Sequence, residues 1–231
     1  MFKYEMHIHN SGCSKCGGSS AIELIDIARQ KGYSGIVFTN HFYHGNTGID
    51  RNLPWQDFVG EYKKSYEEAK EYAKRFDFDV LFGLEEGLGG GKEVLIYGLS
   101  PEIIIDNPEF KDMTLPQMAE FVRKNGGVMV HAHPYRARAY IREPDKDPDP
   151  AYFDGIEVYN SHNSDDENGR ARAFAKKYGL LEVSGGDTHR TEFFGGSGLA
   201  FGNRIKTNED LVKALKAREY KLIIKDELTE L

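Results

Sequence analysis

The sequence predicts an α/β fold whose parallel strands close, or nearly close, into a barrel of about seven βα units. Three observations carry this. Strand-like and helix-like stretches alternate along most of the 231 residues. Seven of the eight histidines fall in four short clusters, each where a strand pattern ends: His7-Ile8-His9, Asn40-His41 with His44, His131-Ala132-His133, and Asp187-Thr188-His189. Candidate ligands therefore follow at least five strands. A doubly wound sheet gathers its site at one switch point, whereas a barrel brings many strand ends around one centre at its C-terminal face.

The elements follow in order. Phe2–His9 alternates with period two, Phe2, Tyr4, Met6 and Ile8 on one face and Lys3, Glu5, His7 and His9 on the other, so both histidines point the same way. Ser20-Ala-Ile-Glu23 is a capping box that opens a helix to about Lys31. Gly35–Thr39 is a short apolar run of the buried parallel type. A Gly/Asn-rich loop precedes a helix from about Pro54 to Arg75, with Trp55, Phe58, Val59, Tyr62 and Tyr66 as its buried stripe. Asp79–Leu84 reads as a strand ending in Glu85-Glu86, and Glu93–Tyr97 as another after a turn at Gly89 to Gly91. Thr114-Leu-Pro-Gln117 opens a helix that stops at Gly126-Gly127. Val128–His133, Gly155–Tyr159, Leu181–Ser184 and Lys221–Ile224 read as strands, with helices over Asp165–Tyr178 and about Asn208–Ala217. No repeat or linker interrupts the pattern, so residues 1–231 are expected to form a single domain.

Composition narrows the function. With 39% hydrophobic and 29% charged residues the chain can bury a core and remain soluble. No apolar run approaches the ~18–20 residues that span a bilayer, and Phe2–His9 alternates where a secretory signal would be uniformly apolar. No membrane association and a cytoplasmic location are the expectation. A net charge of −7 speaks against a broad nucleic-acid-binding face, although a small basic pocket for a short nucleotide remains compatible with it. The only cysteines, Cys13 and Cys16, form one C-x-x-C in a Gly/Ser loop beside His9. Half of a zinc-ribbon pattern is missing, so ordinary loop thiols are the simplest reading, ahead of a metal ligand near the histidines or a redox pair.

Each cluster has its own chemistry. His7 and His9, at i and i+2 on a strand, share a face and can chelate one ion. Glu85, at the end of an apolar strand, can bridge two cations, while Glu86 should face the other way. His131 and His133 are again i and i+2, so one or both face the site. Asp187 and His189 follow Ser184-Gly-Gly, where glycines permit a close backbone approach. His162 reads mainly as a loop histidine. The mixture of imidazole nitrogen and carboxylate oxygen suits Zn²⁺, Mn²⁺ or Fe²⁺ over Ca²⁺. Arg136, Arg138 and Arg142 after the third cluster and Arg190 after the fourth are candidate anion binders, Arg136 and Arg190 foremost.

Taken together, H-x-H in the first strand, T-N-H at 39–41, G-L-E at 83–85, A-H-P at 132–134, G-I-E-V-Y-N at 155–160 and G-G-D-T-H at 185–189 resemble the PHP (polymerase and histidinol phosphatase) family, in the family's order and over nearly the whole chain. The resemblance implies a distorted (β/α)7, TIM-like barrel with two or three divalent metal ions at the C-terminal end of its strands. It also implies hydrolysis of a small phosphorylated substrate by an activated hydroxide. Residue by residue it places His7, His9, Glu85 and Asp187 on the first ion, Glu85 and His133 on the second, and His41 and His189 on the third. Two positions depart from the pattern. Glu93 stands where trinuclear members carry a histidine before Val-Leu-Ile-Tyr-Gly98, and is expected to ligate the second ion. Past H-x-H, where a His or Asp ligand is usual, the loop offers only Cys13, Ser14 or Cys16. His131 is extra to A-H-P. His41, His44 or His189 would return a proton to the leaving group, with Arg136 and Arg190 on the phosphoryl oxygens. An amidohydrolase-type metalloenzyme, which also opens with H-x-H but ends on a lone Asp, and a non-catalytic barrel are the alternatives.

Overall fold

The computed structural model describes residues Met1 to Leu231. Ten strands form one mixed, curled sheet in the order β10-β9-β8-β1-β2-β3-β4-β5-β6-β7. β1 (Phe2–Ile8), β2 (Gly35–Phe38) and β3 (Asp79–Gly89) are parallel neighbours. β5 (Val128–Ala132), β6 (Gly155–Asn160) and β7 (Leu181–Gly185) form a second parallel set. β4 (Lys92–Tyr97) joins the two sets and runs antiparallel to both β3 and β5.

The expectation of successive parallel βα units is therefore corrected at β4. Gly89, Gly90 and Gly91 all take left-handed φ (85°, 62° and 79°), and the turn they make is too short to hold a crossover helix, so β3 doubles back as a hairpin. The last predicted strand also differs in role. β9 (Tyr220–Ile224) is antiparallel to β8 (Ser197–Phe201), which the sequence reading did not include, and β8 pairs antiparallel with β1 outside the two parallel sets. β10 (Glu227–Thr229) closes that edge.

Helices α1 (Ala21–Gln30), α2 (Trp55–Ala73), α4 (Leu115–Lys124), α5 (Asp165–Tyr178) and α6 (Asn208–Ala217) lie within about two residues of the predicted ends; only α3 (Pro101–Ile105) was not foreseen. Their starts have the expected cause. Ser20, Thr114, Ser164 and Thr207 each form a capping box. The stripe of α2 is buried as expected at Trp55, Phe58, Val59 and Tyr62 and packs with Phe42, Phe82 and Leu84. No helix is long and apolar enough to cross a membrane.

The strict alternation expected of β1 breaks. Tyr4 and Met6 pack with Val37, Leu81 and Leu95, but Ile8 packs with Leu24, Ile36 and Phe38 on the opposite face of the sheet. The register with β2 slips between Glu5 and Ile8. The buried Glu5 carboxylate accepts from the amides of both Met6 (2.9 Å) and His7 (3.0 Å), which holds the irregularity in place. The slip turns His7 and His9 toward the same side as Met6, into the concave face of the sheet.

That sheet curls until the segment after β7 meets the end of β1. The Thr188 amide donates to the His7 carbonyl (3.2 Å), and the His9 amide donates to the Thr188 carbonyl (2.9 Å). This short parallel bridge is the whole of the ladder between the two ends.

Candidate metal centre

The concave face carries a ring of ligand-type side chains at one end of the sheet. His7 (β1), Glu85 (β3), Glu93 (β4) and Glu157 (β6) project from strands; His9, His41, His133, Asp187 and His189 stand just past strand ends. Beyond β2, the ladder to β3 continues through the Glu85 amide on the Asn40 carbonyl (2.9 Å) and the Phe42 amide on the Glu85 carbonyl (2.7 Å), which sets His41 beside Glu85.

Glu85 is the hub. Its Oε1 lies 3.1 Å from His7 Nε2 and 3.3 Å from His133 Nε2. Its Oε2 lies 2.8 Å from His41 Nδ1 and 3.5 Å from His9 Nε2. Short as they are, these approaches are out of line for hydrogen bonds, and both Glu85 oxygens and His41 Nδ1 are buried without a partner. Glu93 spans the same space from the facing strand, Oε1 at 3.3 Å from His41 Nδ1 and Oε2 at 3.5 Å from His133 Nε2. Asp187 Oδ1 is 3.2 Å from His9 Nε2 and 3.5 Å from His7 Nε2, and those two ring nitrogens face each other at 3.0 Å. Ligand atoms of His7, His9 and Glu85, of His41, Glu85 and Glu93, and of His9, His41 and His189 converge within single-ion reach.

The electrostatics show how crowded the charges are. Burial opposes charging His7, but Glu157, Asp187 and Glu85 outweigh it and hold its pKa well above the ordinary value. Burial with His41 alongside pushes His9 down to about 3. Glu85 is held well below the usual carboxylate range, its burial outweighed by His7 and His41. Glu93 is pushed up to about 8 by burial and by Glu85. Several acids and imidazoles thus compete for protons in one buried cluster, an arrangement that divalent ions would neutralise.

Two residues here hold left-handed backbone without being glycine: His133 (φ 29°) and Asp187 (φ 50°). The turn at His133 separates it from His131. His131 Nδ1 bonds the Ala132 carbonyl (2.9 Å) and its ring packs on Phe153, away from the ring of ligands. Glu86 does face away from Glu85, as expected, but it is fully buried, and its Oε1 accepts from the amides of His44 (2.6 Å) and Gly87 (2.7 Å).

Of the predicted arginines only Arg136 reaches the site. It is buried, with Nη1 at 2.6 Å from Asp187 Oδ2, Nε on Asn163 Oδ1 (2.9 Å) and Nη2 on Asn160 Oδ1 (2.8 Å). Arg190 is exposed, with its stem over Gly18, and does not line the cavity. Arg138 is tied to Glu167 and the His162 carbonyl, and Arg142 lines a separate cleft with His131. His44 bonds the Lys111 carbonyl (2.6 Å), outside the ring. His162 is exposed and edge-on to Phe193. The two cysteines part company. Cys13 is buried and donates to the Tyr62 carbonyl (3.1 Å), whereas Cys16 lies against His189 and His41.

A cavity of about 400 Å³ opens onto this ring, lined by Cys16, His41, Glu93, Arg136, Asp187 and His189 among others, with the exposed Tyr140 at its edge. The sequence reading passed over Glu157, whose Oε1 lies 2.8 Å from His7 Nδ1 and whose Oε2 accepts from the His133 amide (2.9 Å). A lone acid in the middle of the apolar strand Gly-Ile-Glu-Val-Tyr was its available signal.

Comparison with known proteins finds likenesses of fold. Residues 165–220 match the family model described as PHP-associated. Over 98% of its length the chain is similar in structure to a two-domain protein of Bacteroides vulgatus containing a predicted PHP-like metal-dependent phosphoesterase (TM-score 0.72, 18% identity), and it spans 66% of that protein. It is also similar to an inferred metal-dependent phosphoesterase of Bifidobacterium adolescentis (TM-score 0.60, 15% identity, covering 94% of this chain and 96% of that one). A third likeness is to an amidohydrolase of Chromobacterium violaceum that holds sulfate and no metal (TM-score 0.56, 17% identity, covering 81% and 87%). A comparison with curated proteins found no match. The family match is confined to residues 165–220, and the structural likenesses show that the fold is shared.

Proposed function

We propose that this protein is a metal-dependent phosphoesterase that hydrolyses a small phosphate ester, a phosphomonoester or a nucleotide-type substrate. The observation that carries the reading is Glu85: a buried carboxylate, faced by four imidazoles, with both oxygens free of hydrogen bonds. Buried polar atoms left this way cost about 1–3 kcal/mol each, and coordination by cations removes that cost. The donor set fits two or three Zn²⁺, Mn²⁺ or Fe²⁺ ions. His7, His9, Glu85 and Asp187 would hold the first, Glu85, Glu93 and His133 the second, and His41 with His189 the third. Ions bound there supply Lewis acidity and bring the pKa of water toward neutrality.

The chain's own residues supply position. Glu157 fixes His7 through Nδ1, so that Nε2 faces inward. Arg136 commits three of its N–H groups to Asp187, Asn160 and Asn163, which aims the guanidinium along the cavity wall and leaves the other donors for phosphoryl oxygens. The 400 Å³ cavity suits a small ester.

The likeness to an amidohydrolase supports a second reading, an amide-hydrolysing centre on the same ligands. Asp187-x-His189 and the lack of a lysine at the cavity wall, with Lys92 tied to the Pro134 carbonyl, favour the first. Metal-reconstituted protein assayed against phosphomonoesters, phosphodiesters and amides separates them. Turnover of amides alone would overturn the phosphoesterase reading.

A further inference from the structure

His131 lies two residues before His133 yet serves the other face of the sheet. Its partner across the ladder, Val94, and the Phe153 ring beside it belong to the outer apolar layer shared with α2 and α4, whereas Val130 and Ala132 face the interior with Leu95. His131 is only 4% exposed. Its Nδ1 donates to the Ala132 carbonyl (2.9 Å), so in the neutral ring Nε2 is a bare acceptor. That nitrogen has no partner in the protein and is not sealed in, and the ring lines a cleft of about 460 Å³.

Leu88, Leu115, Tyr152 and Phe153 give the cleft its apolar surface. Its acids already have donors: Glu143 has Lys146 (3.3 Å), Asp147 the Tyr135 hydroxyl (2.6 Å) and Asp149 the Ala151 amide (3.0 Å). Two of its cations lack an acid. Lys92, half-buried, has only the Pro134 carbonyl. The Arg142 guanidinium makes no hydrogen bond or ion pair, although its stem lies beside Gly90 and its amide donates to the Gly90 carbonyl (2.8 Å). That contact is also a partition. Gly90, Lys92 and Arg142 line the cleft, whereas Gly91, Glu93 and Tyr140 line the metal cavity.

We infer that this cleft is a second ligand site, for a small planar organic anion that carries a hydrogen-bond donor. The anion meets Arg142 and Lys92, the donor meets His131 Nε2, and the flat body lies against Phe153 and Leu115. Apolar walls with a few polar groups are the usual make-up of a small-molecule site, and an aromatic wall favours a flat ligand. The site stands apart from the metal centre and does not depend on the reaction proposed there.

The probe is 6-hydroxy-2-naphthoate, which is flat, anionic at one end and a donor at the other, and has no phosphate to lose. Calorimetric titration of metal-loaded protein should show a single site. Arg142→Ala should weaken binding by about 10-fold or more, the worth of a charged hydrogen bond, while Arg136→Ala, on the metal cavity, leaves it unchanged. His131→Phe keeps a ring against Phe153 and removes Nε2. It should weaken the hydroxynaphthoate by about 2- to 10-fold and leave 2-naphthoate, which lacks the donor, as in wild type. Arg142 is exposed, so Arg142→Ala decides the case if His131→Phe does not fold. Wild-type protein that binds no probe overturns the site, as does wild-type affinity in Arg142→Ala. Loss in Arg136→Ala alone would put the anion in the metal cavity and also overturn it. Equal losses of both naphthoates in His131→Phe would overturn the contact to Nε2.

Discussion

His7 Nδ1 lies 2.8 Å from Glu157 Oε1, and both side chains are fully buried. The carboxylate fixes which ring nitrogen faces inward, and through its other oxygen it also holds the strained turn at His133. Glu157→Gln removes the charge and keeps the shape. Metal affinity should fall by about 10–100-fold, read by competition with a chromophoric chelator. Unchanged affinity would remove Glu157 from the centre.

Glu85 and Glu86 are adjacent but face opposite sides. Glu85→Gln should lose metal and activity by more than the ~10–100-fold expected for an outer partner. Glu86→Gln should keep its metal but destabilise the fold by about 1–3 kcal/mol, because Glu86 anchors the His44 and Gly87 amides. Elemental analysis beside thermal melts separates the two, and metal loss in both variants would contradict the opposed orientation.

Glu93 stands within 3.5 Å of both His41 and His133. Glu93→Ala should cost metal and turnover together. Glu93→His should retain the metal and shift preference toward Zn²⁺, since imidazole is the softer donor. A Glu93→Ala protein with the wild-type metal content would show that Glu93 is not a ligand.

Arg136 and Arg190 offer a paired test. Arg136→Ala should lower kcat/KM by about 10- to 100-fold, the worth of a charged hydrogen bond. Arg190→Ala, altering an exposed side chain outside the cavity lining, should stay within about twofold. The reverse ranking in steady-state kinetics would relocate the phosphate.

In metal-free protein the thiols should differ in reactivity. Burial raises the Cys16 pKa, but His189 and His41 outweigh it and bring the thiol down to about 6, whereas burial pushes Cys13 up to about 12. Cys16 is then largely thiolate at pH 7 and loses reactivity as pH falls through 6; Cys13 stays a thiol throughout. Alkylation followed by peptide mass spectrometry should label Cys16 alone.

Much of this site was legible because ligand residues obey local rules. His7 and His9 share a side at i and i+2, and Glu85 ends an apolar run, so position along a strand revealed direction. What was not legible depends on the backbone's departures from regularity. The β1 slip at Glu5 moves Ile8 to the opposite face from Met6, and no alternation count shows it. His133 parts from His131 through a left-handed φ. Arg136 and Arg190 each follow a ligand closely, yet only the turn after β5 aims inward. The glycines at 89–91 were read as a turn, but the consequence that β4 must run backward needed the absence of room for a helix. β8, five residues beginning Ser-Gly and preceded by two glycines with positive φ, carries too little pattern to stand out.

The bridge at Thr188 has a mechanical consequence. The main-chain ladder between β1 and the segment after β7 runs only through His7-Ile8-His9 and Asp187-Thr188-His189, the same two tripeptides that carry four of the proposed ligands, His7, His9, Asp187 and His189. Any ion held by both would act as a rivet across the seam, joining parts that are 180 residues apart in the chain and share two main-chain hydrogen bonds. Stripping the metal should loosen that seam ahead of the rest of the sheet. The His9 and Thr188 amides would then exchange with deuterium faster than those of β2 or β6, and re-adding metal would slow them again.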